Sequence, residues 1–271
     1  MNIREIHSRS ILNRSGIPGI DYAINPYLGC AHKCQYCYAV FMKRFTGHTE
    51  PWGEFVDVKI NAPEIFEHQL KRLKRKNNIS FGTVCDPYQP VEVKYYITRK
   101  CLEKLVYFGH MVSILTKSDL VLRDLDILKK LKEIEVGFTI TTLNIKATKI
   151  FEPNAAAPQK RLKAVRILSQ NKIPTWVFNA PVLPYFSDTD EAISEIIKAS
   201  QEAGAKYIMF DTLNPYPKVW HNVLRLIKKY FPEAADLYNY YYCNKTKYEK
   251  QLKARITKIS RGCKIKHSFA F

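Results

Sequence analysis

The sequence predicts an α/β fold, a parallel sheet curled into an open, partial (β/α)6 barrel with a basic C-terminal extension. Apolar or β-branched runs alternate with helical patterns through most of the 271 residues. The alternation amounts to six β-α units, short of the eight that close a full barrel. The chemically unusual residues gather just after the strand-like runs, where parallel β/α proteins build their active sites.

The strand-like runs fall at roughly 20–25, 79–85, 111–116, 135–141, 173–180 and 206–211. Helical spacing occupies 62–76, where Asn61 can cap and Ile65, Phe66, Leu70 and Leu73 share a face. It returns at 98–108, 121–132, 158–170 and 188–203. The last of these opens on the capping pattern Asp188-x-x-Glu191 and stops at Gly204. A further helix, about 217–230, ends before Pro232. Segment 45–58 reads as an insertion after the first strand. No glycine- or serine-rich linker divides the chain. Residues 1–230 are therefore expected to form the barrel, with 231–271 a basic, Tyr-rich extension packed on the same domain.

Lys and Arg number 43 against 25 Asp and Glu, a formal charge of +18. A field of that sign draws in polyanions: nucleic acid, acidic proteins or a membrane surface. From Cys243 to Phe271 nine Lys or Arg face one acid, Glu249, and the segment follows Tyr238, Tyr240, Tyr241 and Tyr242. Aromatics beside cations suit base stacking with phosphate contact, although a solvated terminal helix would read the same way. The opening MNIREIHSRS has no apolar signal region, and no stretch approaches a membrane span. A soluble, cytoplasmic protein with no membrane partner is expected. There thiols stay reduced, so clustered cysteines point to metal ligation or catalysis before disulfides.

That cluster is NPYLGCAHKCQYCY, residues 25–38, with Cys30, Cys34 and Cys37 in C-x3-C-x2-C spacing. A structural zinc site wants four ligands, usually as two separated pairs. Here there are three, with no fourth in an adjacent pair. An iron–sulfur cluster can use three thiolates and keep one iron open for a small ligand. C-x3-C-x2-C with Tyr36 before the last cysteine resembles the radical S-adenosylmethionine (radical SAM) enzymes. NPYLGCAHKCQYCYA, GTVCDPYQPVE, ILTKSDLVLRDLDIL, TITTLN, FEPNAAAPQKRL and NAPVLP, in that order over about 24–184, are similar to motifs of the group related to spore photoproduct lyase. Beyond about residue 215 no such similarity is read.

The resemblance implies a TIM-like partial barrel and a 4Fe–4S cluster whose unique iron chelates S-adenosylmethionine. Reductive cleavage would give a 5′-deoxyadenosyl radical that takes a hydrogen atom from substrate. It also implies a one-electron donor, a flavodoxin or ferredoxin. Cys30, Cys34 and Cys37 become the cluster ligands, and the backbone around Tyr36 lies against the cofactor's adenine. Lys117, in TKS after the third strand, is placed near the cofactor's carboxylate, where an ammonium offsets charge. Thr139 and Thr141 point the same way on the fourth strand and could hold ribose or carboxylate. Glu152 and Arg161 read as a positioning pair or an ordinary ion pair, with Arg161 counted among the cofactor contacts. Glu92 is expected to receive the cofactor's ammonium. Cys85 corresponds by region to a hydrogen-atom donor, but its spacing to Asp86 departs from the lyase pattern, and a buried apolar role competes. Cys101 reads as core. Cys243 and Cys263, in the basic tail, could join a second metal only with added ligands.

Charge and tail point to a nucleic-acid base, in DNA or RNA, as the radical's target, in a repair lyase or a base modifier. A protein side chain or small metabolite is the competing substrate. A non-enzymatic iron–sulfur or zinc-binding module is the competing class.

Overall fold

A computed structural model of the chain describes residues 1–271. Its strands are β1 (Asn2–Ile6), β2 (Leu12–Arg14), β3 (Tyr22–Ile24), β4 (Tyr27–Leu28), β5 (Phe55–Lys59), β6 (Asn78–Phe81), β7 (Met111–Thr116), β8 (Glu133–Thr139), β9 (Thr175–Val182), β10 (Tyr207–Thr212) and β11 (Lys266–Phe269). The main sheet has the order β11-β10-β9-β8-β7-β6-β3-β2. Its middle six strands, β3 and β6 to β10, are mutually parallel and occupy the six strand-like runs of the sequence. The two ends of the sheet are not paired to one another, so the barrel is partial. Both edges of the six are covered, by parallel β11 on β10 and antiparallel β2 on β3. Covered edges leave fewer unpaired backbone groups open to another chain.

Helices fill the crossovers: Ala62–Leu70, Ile97–Leu105, Pro158–Gln170, Asp190–Glu202 and Pro217–Tyr230. The helix expected at 121–132 is instead a 3-10 segment, Asp119–Asp124, running into one turn of α-helix, Leu125–Leu128. Strand alternation explains the layers. On β7, Val112, Ile114 and Thr116 are buried, while Met111, Ser113 and Leu115 on the opposite face are more open. On the inner face, Trp176 stacks on Tyr207 at 5.3 Å, and Tyr207 Oη donates to Glu135 at 3.2 Å. Gly137 makes room there, since a Cβ would meet the Trp176 ring at 2.3 Å.

Two features were not legible beforehand. Segment 45–58 supplies β5, which joins β1 and β4 in a second, three-stranded sheet. The basic tail forms helices Ala235–Cys243 and Lys245–Ile259 and then β11. Its tyrosines correct the base-stacking expectation in part. Tyr238 and Tyr241 are fully buried, and Tyr248 is nearly so. Tyr241 Oη donates to the Leu213 carbonyl, Tyr248 Oη donates to Asp188 at 2.8 Å, and Trp220 stacks on Tyr242 at 4.9 Å. Only Tyr240 and Tyr242 of that run face solvent. No helix is long and apolar enough to cross a membrane.

Candidate active site

The cysteine loop leaves β4 and crosses the C-terminal ends of the parallel strands without regular structure of its own. Its backbone groups must therefore find partners elsewhere. Gln89, fully buried, accepts from Ala31 N–H at 2.7 Å and donates to the Gly29 carbonyl at 3.1 Å. Asn154 donates through its side chain to the Ala31 carbonyl at 2.9 Å and through its backbone to His32 O at 3.3 Å. Gln35 N–H donates to the Phe151 carbonyl at 2.8 Å, and Asn222 donates to Gln35 O at 2.8 Å. Gly29 has φ +91°, and a Cβ there would sit 2.3 Å from the Phe55 carbonyl oxygen. A side chain at that position is barred twice over.

Cys30 is buried, Cys34 and Cys37 are half-buried, and all three thiols are free. Burial pushes Cys34 up to about 12, Cys30 well above the usual thiol range, and Cys37 upward. Such thiols keep their protons until a metal displaces them, so metal binding here releases protons. No three His, Cys, Asp or Glu side chains converge as ligands of a single ion would. A cluster takes one thiolate per iron and needs no such convergence. Three unpaired thiols on one loop fit a cluster with one iron left open.

Next to the loop lies a buried polar network. Tyr36 Oη donates to Glu152. The Thr141 hydroxyl lies 2.8 Å from Glu152 Oε1 and 2.9 Å from Tyr36 Oη. The Arg161 guanidinium pairs with Glu152 and donates to the Thr139 carbonyl at 2.8 Å and the Ala156 carbonyl at 2.6 Å. Burial alone would raise the Glu152 carboxyl, but Arg161 and the Lys117 ammonium outweigh it and hold it at about 2. Lys117 Nζ is 5.7 Å from the Tyr36 ring centroid, at the end of β7. Its N–H donates to Asp86 Oδ2 at 2.6 Å, and the Thr116 hydroxyl donates to Oδ1 at 2.7 Å. His32 Nε2 lies 3.2 Å from Asp86 Oδ2 without hydrogen-bond alignment. Burial opposes the charge on Asp86, yet His32 and these donors keep its carboxyl at about 2.

The structure thus brings together Cys30, Cys34, Cys37, Tyr36, Lys117, Thr139, Thr141, Glu152 and Arg161, with Arg161 in a changed role. Its guanidinium is fully enclosed and spends its donors on Glu152 and two carbonyls, so it positions Glu152 and cannot itself touch a ligand. Glu92 is corrected outright. It is fully buried and accepts from Tyr27 Oη, from Thr98 N–H at 3.0 Å, from Arg99 N–H at 3.2 Å and from Arg123 at 2.7 Å. Its acceptor capacity is taken up by the fold, leaving little for a ligand's ammonium. Cys85 is 1% exposed within the apolar core, and burial pushes its thiol up to about 12. In this arrangement it packs as a small apolar side chain against the cysteine loop, near Gly29 and Cys37. Cys101 is buried core, and Cys243 and Cys263 are exposed and free. Sequence reading missed Gln89, Asn154 and Asn222, and also Asn25, whose Oδ1 accepts from Val84 N–H at 3.0 Å and Cys85 N–H at 3.3 Å. Gln89, Asn154 and Asn25 stood inside recognised motifs, but nothing in their spacing marked them as loop clamps.

The radical SAM superfamily model matches residues 24–197. An uncharacterized protein of Methanocaldococcus jannaschii is 33% identical over 261 residues, covering 96% of this chain and 94% of that protein. An uncharacterized Acidianus two-tailed virus protein is 32% identical over 205 residues, covering 71% of this chain and 67% of its own length. Among solved structures, spore photoproduct lyase complexed with dinucleoside spore photoproduct superposes with a TM-score of 0.70 at 16% identity, covering 99% of this chain and 82% of that one. Streptococcus suis SuiB bound to its precursor peptide superposes with a TM-score of 0.59 at 18% identity, covering 92% and 48%. The chain belongs to the radical SAM superfamily and is an enzyme of that class, with a 4Fe–4S cluster and S-adenosylmethionine as its cofactors.

Proposed function

We propose that this radical SAM enzyme acts on a base in DNA or RNA, as a repair lyase or a base modifier. One observation carries the reading. The segment from Cys243 onward, nine cations to one acid, is anchored at the barrel mouth, where Thr212, at the end of β10, donates to Glu249 at 2.6 Å. That bond sets the first turns of helix Lys245–Ile259, with exposed Lys247 and Lys250, beside the opening a substrate must use. Cations there meet phosphate, and their contribution falls as salt rises. The likeness to a lyase bound to a dinucleoside photoproduct supports the same reading. The likeness to SuiB bound to its precursor peptide favours a protein side chain as the second reading.

Cys30, Cys34 and Cys37 hold the cluster, and when bound the two cofactors supply a 5′-deoxyadenosyl radical for hydrogen abstraction. Lys117 meets the cofactor's carboxylate, because its half-exposed ammonium is engaged in no ion pair. Glu152 and Arg161 lock Tyr36 and Thr141 in place; the backbone around Tyr36 would lie against the adenine, and Thr141 with Thr139 would hold the ribose or carboxylate. A flavodoxin or ferredoxin provides the electron, and a cytoplasmic location accords with that partner.

The test is 5′-deoxyadenosine formation by anaerobically reconstituted protein with S-adenosylmethionine and reductant. It is run alone, with UV-irradiated DNA, and with unmodified tRNA, beside Cys34→Ala. Cofactor cleavage that vanishes in the mutant and rises with one nucleic acid is the expected result. Cleavage indifferent to both nucleic acids, with no salt-sensitive binding of either, overturns the substrate reading.

A further inference from the structure

We propose that a cavity on the outer side of the cysteine loop is the docking site of an acidic one-electron donor protein. This docking rests on the family assignment and is independent of the nucleic-acid reading. The cavity, about 480 Å³, lies between the loop, residues 51–54 and helix Pro217–Tyr230. Cys34 and Cys37 form part of its wall, while Lys117, Thr141 and Glu152 do not. Two of the three cluster thiols are therefore reached from outside without passing through the barrel mouth. Electron-transfer rates fall steeply with distance, so a donor gains most by sitting at such an approach.

The charge around the opening suits an acidic partner. Lys33 is neutralised by Glu54 at 2.7 Å. Lys218 and Arg225 also line the cavity, are exposed, and have no acidic partner. Their helix, PKVWHNVLRLIKKY, carries four Lys or Arg and no acid. Lys218, Asn222, Arg225 and Lys229 recur at helical spacing and make one stripe. The 3-10 segment Tyr38–Phe45 packs against this helix and adds Arg44 and Phe45. Phe45 is 64% exposed, with the Arg44 guanidinium 4.6 Å from its ring centroid. An apolar anchor within a cationic rim is the make-up of a transient protein interface, steered by charge. In the step this serves, one electron leaves the partner's reduced flavin or iron–sulfur centre and enters the cluster, and no atom is transferred.

Stopped-flow absorbance of the anaerobic holoenzyme would follow cluster reduction by reduced flavodoxin and, separately, by dithionite. Lys218→Glu/Arg225→Glu is expected to slow flavodoxin-driven reduction about tenfold or more at low salt, with the dithionite rate changed less than threefold. Lys229→Glu/Arg44→Glu, farther from the cavity, is expected to give a smaller drop of the same kind. It also decides the matter if the first pair fails to retain its cluster. The wild-type flavodoxin rate should fall with added salt. An unchanged flavodoxin rate in both variants overturns the proposal, as does equal slowing with both reductants. So does loss of DNA or RNA binding with the flavodoxin rate intact, which would give this face to nucleic acid.

Discussion

The cysteine loop and the C-terminal extension are both additions to the six-stranded barrel, and they are held in opposite ways. Directed hydrogen bonds to Gln89, Asn154, Asn222 and the Phe151 carbonyl hold the loop. Packed rings, with hydrogen bonds at their rims, hold the extension: Trp220, Tyr238, Tyr241 and Tyr248. A hydrogen bond nets only about 1 kcal/mol but fixes one atom against another. Burying an aromatic ring stabilises more and directs less. Three sulfurs that must meet one cluster need the first kind of support. A wall beside the mouth needs only the second.

The largest effect is expected in the polar region. Glu152→Gln leaves the buried Arg161 guanidinium without its counter-charge, and breaking such a pair costs about 3–5 kcal/mol. The sign of its pH dependence follows from the Glu152 carboxyl, held in the fold at about 2 against an ordinary 4.5. Stabilisation from a depressed carboxyl is present above the unfolded value and lost as pH falls towards the folded one. The gap between wild type and Glu152→Gln should thus be widest above pH 4.5 and close towards pH 2. Urea unfolding of the metal-free chains over that range measures it, and a gap that does not change with pH would reject the ion pair as its source. In the aromatic region, Tyr241→Ala should cost roughly 3 kcal/mol, the low end for truncating a buried ring. Iron bound per chain should stay unchanged. Iron lost in proportion to stability would show that extension and loop are not independently held.

The same contrast explains what could be read from the sequence. The six strands and most of the helices were legible because apolar periodicity reports burial directly. The third helix was not, because Val121, Leu125 and Leu128 keep helical apolar spacing while the backbone tightens into a 3-10 segment. Strand β1 was invisible because NIREI lies largely exposed at the edge of the small sheet and shows no buried stripe. The tyrosine run misled for a different reason. As a helix, Tyr238 and Tyr241 lie three apart and share the buried face, while Tyr240 and Tyr242 turn outward. Helical spacing applied to those residues would have separated packing from display. In the site, the three cysteines and Lys117 stood out in the sequence because each has distinctive chemistry. Glu92 was misassigned because a carboxylate capping Thr98 and Arg99 looks the same in sequence as one awaiting an ammonium.

The smallest effect should fall on the loop clamp that spacing could not reveal. Gln89→Ala removes the partner of Ala31 N–H and of the Gly29 carbonyl together. Each is a buried backbone group with no alternative ladder, and leaving one unpaired costs about 1–3 kcal/mol. The chain has a cheaper course, which is to let residues 29–31 swing towards water, so the global loss should sit at the low end of that range. The damage would then appear locally, as faster hydrogen exchange at Ala31 and slower, less complete cluster reconstitution, with the unfolding midpoint little changed. Gln89→Glu sharpens the comparison, since it keeps an acceptor for Ala31 N–H but sets a second oxygen against the Gly29 carbonyl. It should therefore bind no more iron than Gln89→Ala. Full reconstitution in Gln89→Glu would mean that the acceptor alone holds the loop, and that the Gly29 contact is incidental to presenting the three thiols.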